Sequence, residues 1–194
     1  MEYKQNLFFG TREELLGLVQ KSMSEKRFHH VLGVEKAAIQ LAKQVSFDEE
    51  KASIAALVHD YAKERSDAEF LKMIDEKGYD SSLIPFGNNI WHGVVGVEFI
   101  QQELGIHDAE ILHAVSVHTT GSAEMSQLDK ILYVADYIEE GRSFPVVEEA
   151  RRIAKLDLDE AVAFETEHTL SYLINQKVRI YPLTIETYNA TVVK

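Results

Sequence analysis

The chain contains no cysteine, so neither a disulfide nor a thiolate metal site is open to it, and any bound metal must be held by histidine and carboxylate groups. No stretch approaches the roughly 18 apolar residues of a membrane span. Met1–Gly10 has too short an apolar run for a secretory signal, which makes a cytoplasmic protein with no membrane partner the expectation. Basic residues are in the minority: 20 Lys and Arg face 32 Asp and Glu, for a formal net charge of −12. With no concentrated basic patch to offset it, that charge repels the backbone of a nucleic acid. An anionic small substrate must then be held by a few local cations acting against the average field. The Gly-rich phosphate loop, the Gly-x-Ser-x-Gly elbow and the His-Glu-x-x-His element are all missing, and there is no internal repeat. Alternating β-branched runs are also lacking, which points to an all-α fold.

What is present is a chain of 194 residues with 45% hydrophobic content, enough for one domain with a substantial core, residues 1–194. Thr11-Arg-Glu-Glu14 is a capping box that opens a helix toward Lys21, and Ser22-Met-Ser-Glu25 has the same form. A second helix is predicted from Arg27 to Ala42, with His30 near its apolar face and His29 about a hundred degrees away. Further helices are expected from Ile54 through Lys63, from Ala68 to Glu76, from Trp91-His92 through Ile100, from Asp108 to His118, from Gln127 to Glu139, from Val146 to Ala154 and from Leu158 to Ile174. Gly78 to Asn89 reads as an irregular loop. His92 falls near the predicted start of its helix, where free N–H groups favour anions. The tail from Arg179 to Thr184 precedes a final helical turn near Glu186 to Asn189.

The stretch Ile54–Lys63 carries the chemistry. Ile54, Leu57, Val58 and Tyr61 follow the spacing of a core-facing helix, which sets His59 and Asp60 at or inside a buried face. Burying an ionised carboxylate beside an imidazole costs several kcal/mol, on the order of 3–5, unless a cation compensates, and a divalent metal is such a cation. The chain supplies a contrast in His107-Asp108, where Asp108 reads as a helix N-cap and His107 as a loop residue. His30, His59-Asp60, His92, His118 and Asp136 lie on separate predicted helices. They share a site only if those helices pack side by side, as in bundle metal centres.

Order and local wording resemble the HD superfamily of metal-dependent phosphohydrolases, whose pattern His…His-Asp…Asp is matched by His30, His59-Asp60 and Asp136. The wider set Arg27-x-x-His30-x-x-Gly33-Val34, His59-Asp60-x-Ala62-Lys63, His92-x-x-x-Gly96, Val117-His118-Thr119-Thr120-Gly121, Tyr133-x-Ala135-Asp136-x-Ile138-Glu139 and Ile180-x-Pro182-x-Thr184 is similar to the YqeK family of HD-domain proteins. The likeness runs from Met23 to Asn189, with a motif core from Met23 to Arg142 and C-terminal helices beyond. It implies an HD-domain helical bundle that holds iron and hydrolyses diadenosine tetraphosphate symmetrically to two ADP, a nucleoside diphosphate product that could equally be GDP from the guanosine analogue. By the same resemblance His30, His59, Asp60 and Asp136 are metal ligands. His30, Asp60, Tyr61, Ala62, Lys63, His92, His118, Thr119, Asp136, Arg142, Arg179, Ile180, Tyr181, Pro182, Leu183 and Thr184 become nucleotide contacts. Glu139-Glu140-Gly141-Arg142 departs from the proline that related sequences carry in this turn.

The imidazole and carboxylate set suits iron, manganese, zinc or magnesium. His92 and His118 either ligate a second ion, bridged by Asp60, or bind phosphate. Asp60 and Lys63 are the candidate catalytic residues, Lys63 lying one predicted turn after the metal pair. In-line attack of a metal-activated water on an inner phosphorus is the expected reaction. A mononucleotide phosphohydrolase of the same superfamily and a non-catalytic nucleotide-binding or metal-sensing module are the alternatives, and a homodimer is the general expectation.

Overall fold

The computed structural model describes Tyr3 and residues 7–193. Much of the N-terminal stretch that is too short in apolar residues for a secretory signal (Met1, Glu2 and Lys4 to Asn6) lies outside the described residues, as does Lys194. Among the described residues there is no strand, and the order is α1 (Arg12–Lys21), α2 (Glu25–Gln44), α3 (Glu49–Val58), α4 (Asp67–Lys77), α5 (Asn88–Val94), α6 (Gly96–Phe99), α7 (Ala109–Val117), α8 (Gln127–Ile138), α9 (Val147–Ala154), α10 (Leu158–Gln176) and α11 (Pro182–Thr191). No helix among them is long and apolar enough to cross a membrane.

Helix starts follow the expected chemistry. Thr11 and Glu14 form the capping box of α1, and Ser66 with Glu69 forms that of α4. The Ser22 box is a correction: Ser24 caps α2 by accepting from the Arg27 N–H, whereas the Ser22 hydroxyl donates to the Val19 carbonyl at the end of α1. The loop from Gly78 contains a 3₁₀ segment, Ser81–Phe86. The last turn becomes a ten-residue helix because Pro182, at its first turn, has no N–H to leave unpaired.

Helix α3 is the centre of the molecule. Every residue from Ala52 to Val58 is buried, the pattern of a helix surrounded on all sides. Helices α2 and α8 pack along it, α2 through Val31, Val34, Ala38 and Leu41, and α8 through Leu128, Ile131, Leu132 and Ala135. Helix α7 closes a further side, and α5 packs on α7. Because α3 ends deep in this packing, whatever follows Val58 is delivered to the interior.

Candidate metal centre

The expectation that His59 and Asp60 lie within a helix is corrected in one respect. Helix α3 stops at Val58, His59 is its C-cap, and residues 59–64 wind through tight turns, with Tyr61 N–H bonded to Val58 O at 3.0 Å and Lys63 N–H to Asp60 O at 2.9 Å. His118 likewise caps α7, His92 is in the last turn of α5, and Asp136 is in the last turn of α8. His92 is therefore at the carbonyl end of its helix and not at the amide end expected from sequence. Four helices thus present the negative ends of their dipoles to one point, which favours a cation there.

The same placement sets the tautomers. The Nδ1–H of His59 donates to Ala56 O at 2.7 Å, that of His118 to Val115 O at 2.6 Å, and that of His92 to Asn88 O at 2.7 Å. Each acceptor is a backbone carbonyl three or four residues back along the chain. His92 and His118 are both buried, and burial lowers their pKa, His92 well below the ordinary range and His118 to about 4. Each is then a neutral ring whose one N–H is committed at Nδ1. Their Nε2 atoms face each other at 3.1 Å with lone pairs only, an arrangement that two neutral imidazoles cannot bond and a shared cation can. The buried Nε2 atoms of His30 and His59 have no hydrogen-bond partner either.

Carboxylates complete the cluster. Asp60 directs Oδ2 to His59 Nε2 at 3.5 Å and His30 Nε2 at 3.7 Å, and Oδ1 to His92 Nε2 at 3.4 Å and His118 Nε2 at 4.0 Å. Asp136 Oδ1 is 3.0 Å from His30 Nε2. Burial alone would raise both acids, but His59 pulls Asp60 well below the carboxylate range, and His30, His59 and Arg142 do the same for Asp136. Three overlapping groups, His30-His59-Asp60, His59-His118-Asp136 and Asp60-His92-His118, each keep their donor atoms within 4.8 Å. This donor set, with orphaned nitrogens and ionised acids, fits a divalent cation.

Around it stand cations. Arg27 Nη1 donates to Asp60 Oδ2 at 2.7 Å, the Arg142 guanidinium pairs with Asp136, and Lys63 Nζ lies 3.2 Å from His92 Nδ1. Burial and Arg27 lower the Lys63 pKa against the pull of Asp60. Two participants had no role in the sequence reasoning. Arg27 appeared only as a motif residue, and Glu139, likewise quoted only within a motif, accepts from His30 Nδ1 at 3.1 Å. A Cβ on Gly33 would meet Glu139 Oε2 at 2.5 Å, so the glycine of the Gly33-Val34 signature is the space that lets this carboxylate reach the histidine. That pairing is the one clue the sequence carried.

Other expected contacts stand farther off. The Tyr61 hydroxyl donates to Glu103 at 2.7 Å, and the Ala62 methyl packs against Gly96, so neither side chain is in the cluster. Thr119 Oγ1 is buried without a partner. Helix α11 docks on the turn that follows His118 through Thr187 Oγ1, which donates to Thr120 O at 2.9 Å. Its leading segment packs the Tyr181 ring on Phe86 and buries Thr184, while Arg179 is exposed and makes no ion pair among the described residues.

Comparison with known proteins agrees with this geometry. Residues 27–141 match the family model described as the HD domain. The chain is 39% identical to the symmetrical bis(5'-nucleosyl)-tetraphosphatase of Bacillus subtilis (strain 168) over 92% of this chain and 96% of that protein. It is 40% identical to the protein of the same name from Halalkalibacterium halodurans, over 92% and 95%. A crystal structure described as a predicted HD superfamily hydrolase involved in NAD metabolism, from Clostridium acetobutylicum, superposes with a TM-score of 0.89 at 34% identity, covering 94% of this chain and 97% of that one.

Proposed function

The chain belongs to the HD domain family, and from that premise we propose that it is a metal-dependent phosphohydrolase that splits diadenosine tetraphosphate symmetrically into two molecules of ADP. The observation that carries the reading is the meeting of the Nε2 atoms of His30, His59, His92 and His118 with the carboxylates of Asp60 and Asp136. Relatives of nearly full length bear the name of this activity.

In this proposal His30, His59, Asp60 and Asp136 would hold one cation, and His92 and His118, together with Asp60, would supply the ligands for a second. Iron is the proposed metal, with manganese, zinc and magnesium as the alternatives the donor set also accepts. When bound, such an ion brings the pKa of a water toward neutrality and draws charge from a phosphoryl oxygen. The water oxygen forms its bond to one inner phosphorus as the bridge to the other inner phosphorus opens, and ADP departs with the electron pair. The chain's part is positioning and charge. Arg27 and Arg142 hold Asp60 and Asp136 and turn their remaining N–H groups toward phosphate. Lys63 brings an ammonium to the His92 side, where its lowered pKa also makes it a ready proton donor to the departing phosphate. Thr119 offers its unpartnered hydroxyl, and Arg179 to Thr184 the outer wall for a nucleoside.

The test couples metal analysis of anaerobically purified protein to product chromatography with diadenosine tetraphosphate. Two ADP per substrate, from protein carrying stoichiometric metal, is the expected result; orthophosphate released from a mononucleotide instead would replace this reading with the mononucleotide one. Asp60→Ala is expected to lower turnover by more than the roughly 10–100-fold typical of losing an outer partner of a metal ligand. Wild-type turnover in that variant would reject the scheme.

A further inference from the structure

The carboxylate of Asp60 divides the site into two flanks. On its Oδ1 side are His92, His118 and Lys63; on its Oδ2 side are His30 and Arg27. Arg142, paired to Asp136, joins the second flank. A cavity of about 600 Å³ opens on this flank, with His30 at its base and Lys26, Arg27, His29 and Arg142 on its walls. That volume is within the roughly 300–1,000 Å³ of small-molecule sites.

Its acids are already engaged. Glu64 accepts from Ser24 N–H at 2.6 Å and from the Ser24 hydroxyl at 2.7 Å, Glu139 from Gly141 N–H at 2.6 Å, and Glu140 from Lys36 at 2.5 Å. Lys26, in contrast, has no acidic partner among the described residues, while the exposed His29 lies 3.7 Å from Glu25. Arg27 and Arg142 are tied to Asp60 and Asp136 but keep further N–H groups, so with Lys26 they are the donors this cavity can turn toward an anionic ligand. The cavity shares Gly33, Glu139 and Glu140 with a smaller neighbouring cavity of about 230 Å³, where the apolar Ala37, Leu41, Ile138 and Ala154 stand beside Gln40 and Gln44 and the charged Lys36, Arg151 and Lys155. Lysine and arginine N–H groups beside His30, next to a cavity with apolar surface and amide groups, match a diphosphate and its nucleoside.

We infer that this two-part cavity receives one nucleoside diphosphate half of the substrate, while the other half lies on the Lys63 side of Asp60. The inference rests on the proposed reaction and explains a symmetrical cut: the two halves occupy separate cationic flanks, and the central bridge lies over the carboxylate between them.

Lys26→Glu tests it, because Lys26 lies in the first turn of α2, where an acid suits the helix. The variant is expected to raise the KM for diadenosine tetraphosphate by roughly tenfold, equivalent to about 1.4 kcal/mol, with kcat changed far less and metal content as in the wild type. Lys72→Glu, the same charge reversal on exposed α4, is the control and is expected to leave KM unmoved. In the wild type, adenosine tetraphosphate, which has one nucleoside, is expected to show a higher KM than the dinucleotide. An unchanged KM in Lys26→Glu, an equal rise in Lys72→Glu, or equal KM for the two substrates overturns the inference. Absence of ADP formation by the wild type would sink the parent reading as well, and is distinguishable from normal ADP formation with an unmoved KM, which sinks the inference alone.

Discussion

Glu139 joins three features of the centre. One oxygen takes the Nδ1 proton of His30, the other takes the Gly141 N–H, and the fit of both depends on the bare α-carbon of Gly33. An imidazole with a carboxylate on its far nitrogen is oriented and made more basic. Glu139→Gln is expected to weaken metal binding by roughly 10–100-fold, read by competition with a chelating dye, and Gly33→Ala should move it in the same direction by displacing the carboxylate. A metal affinity equal to the wild type in both variants would remove Glu139 from the centre. At this scale His30, His59, Asp60 and Asp136 were legible because their order and local wording are distinctive. Glu139 and Arg27 were not, since a glutamate at a helix end and an arginine in a first helical turn are ordinary surface features until their partners are seen.

At the scale of elements, the centre is made where helices stop. His59 and His118 are C-caps, and His92 and Asp136 lie in last turns. Periodicity locates a helix well but says little about its last residue, which explains why Ile54–Lys63 read as continuous helix and His92 as a helix start. Helix α10 packs against α8 and buries Glu165, whose Oε2 has no partner. Burial, with Asp136 nearby, raises the Glu165 carboxyl well above its ordinary range. The folded chain then binds a proton that the unfolded chain has lost above about pH 4.3, so stability falls as pH rises from there toward the folded pKa, by up to about 1.4 kcal/mol per pH unit. Glu165→Gln removes that dependence. Its melting temperature, compared with the wild type at pH 5 and pH 8, is expected to gain more at pH 8; an equal difference at both would show that Glu165 is ionised in the fold.

At the scale of the molecule, the clustered side chains come from α2, α5, α7 and α8 and from the turn after α3, so a cation held among them would tie most of the bundle together. Ligand binding stabilises the folded state by about 2.7 kcal/mol at a hundred times its Kd, and each kcal/mol is worth roughly 2–4 °C in a chain of this size. Stripping the metal with a chelator is expected to lower the melting temperature by several degrees, and adding the metal back should restore it. Coincident melting curves with and without chelator would mean that no ion is held at this point.

The amino-acid sequence determined the helical class, most helix starts, the absence of thiolate chemistry and which histidines and aspartates to look for at one point, because caps, periodicity and motif wording are local properties carried by a few neighbours. Only the packed structure decided that four helix ends face one another, which ring nitrogen of each histidine is free, and which cations flank the two oxygens of Asp60. Those are distances between residues as far apart along the chain as His30 and Glu139, and they exist only once α3 is buried among its neighbours.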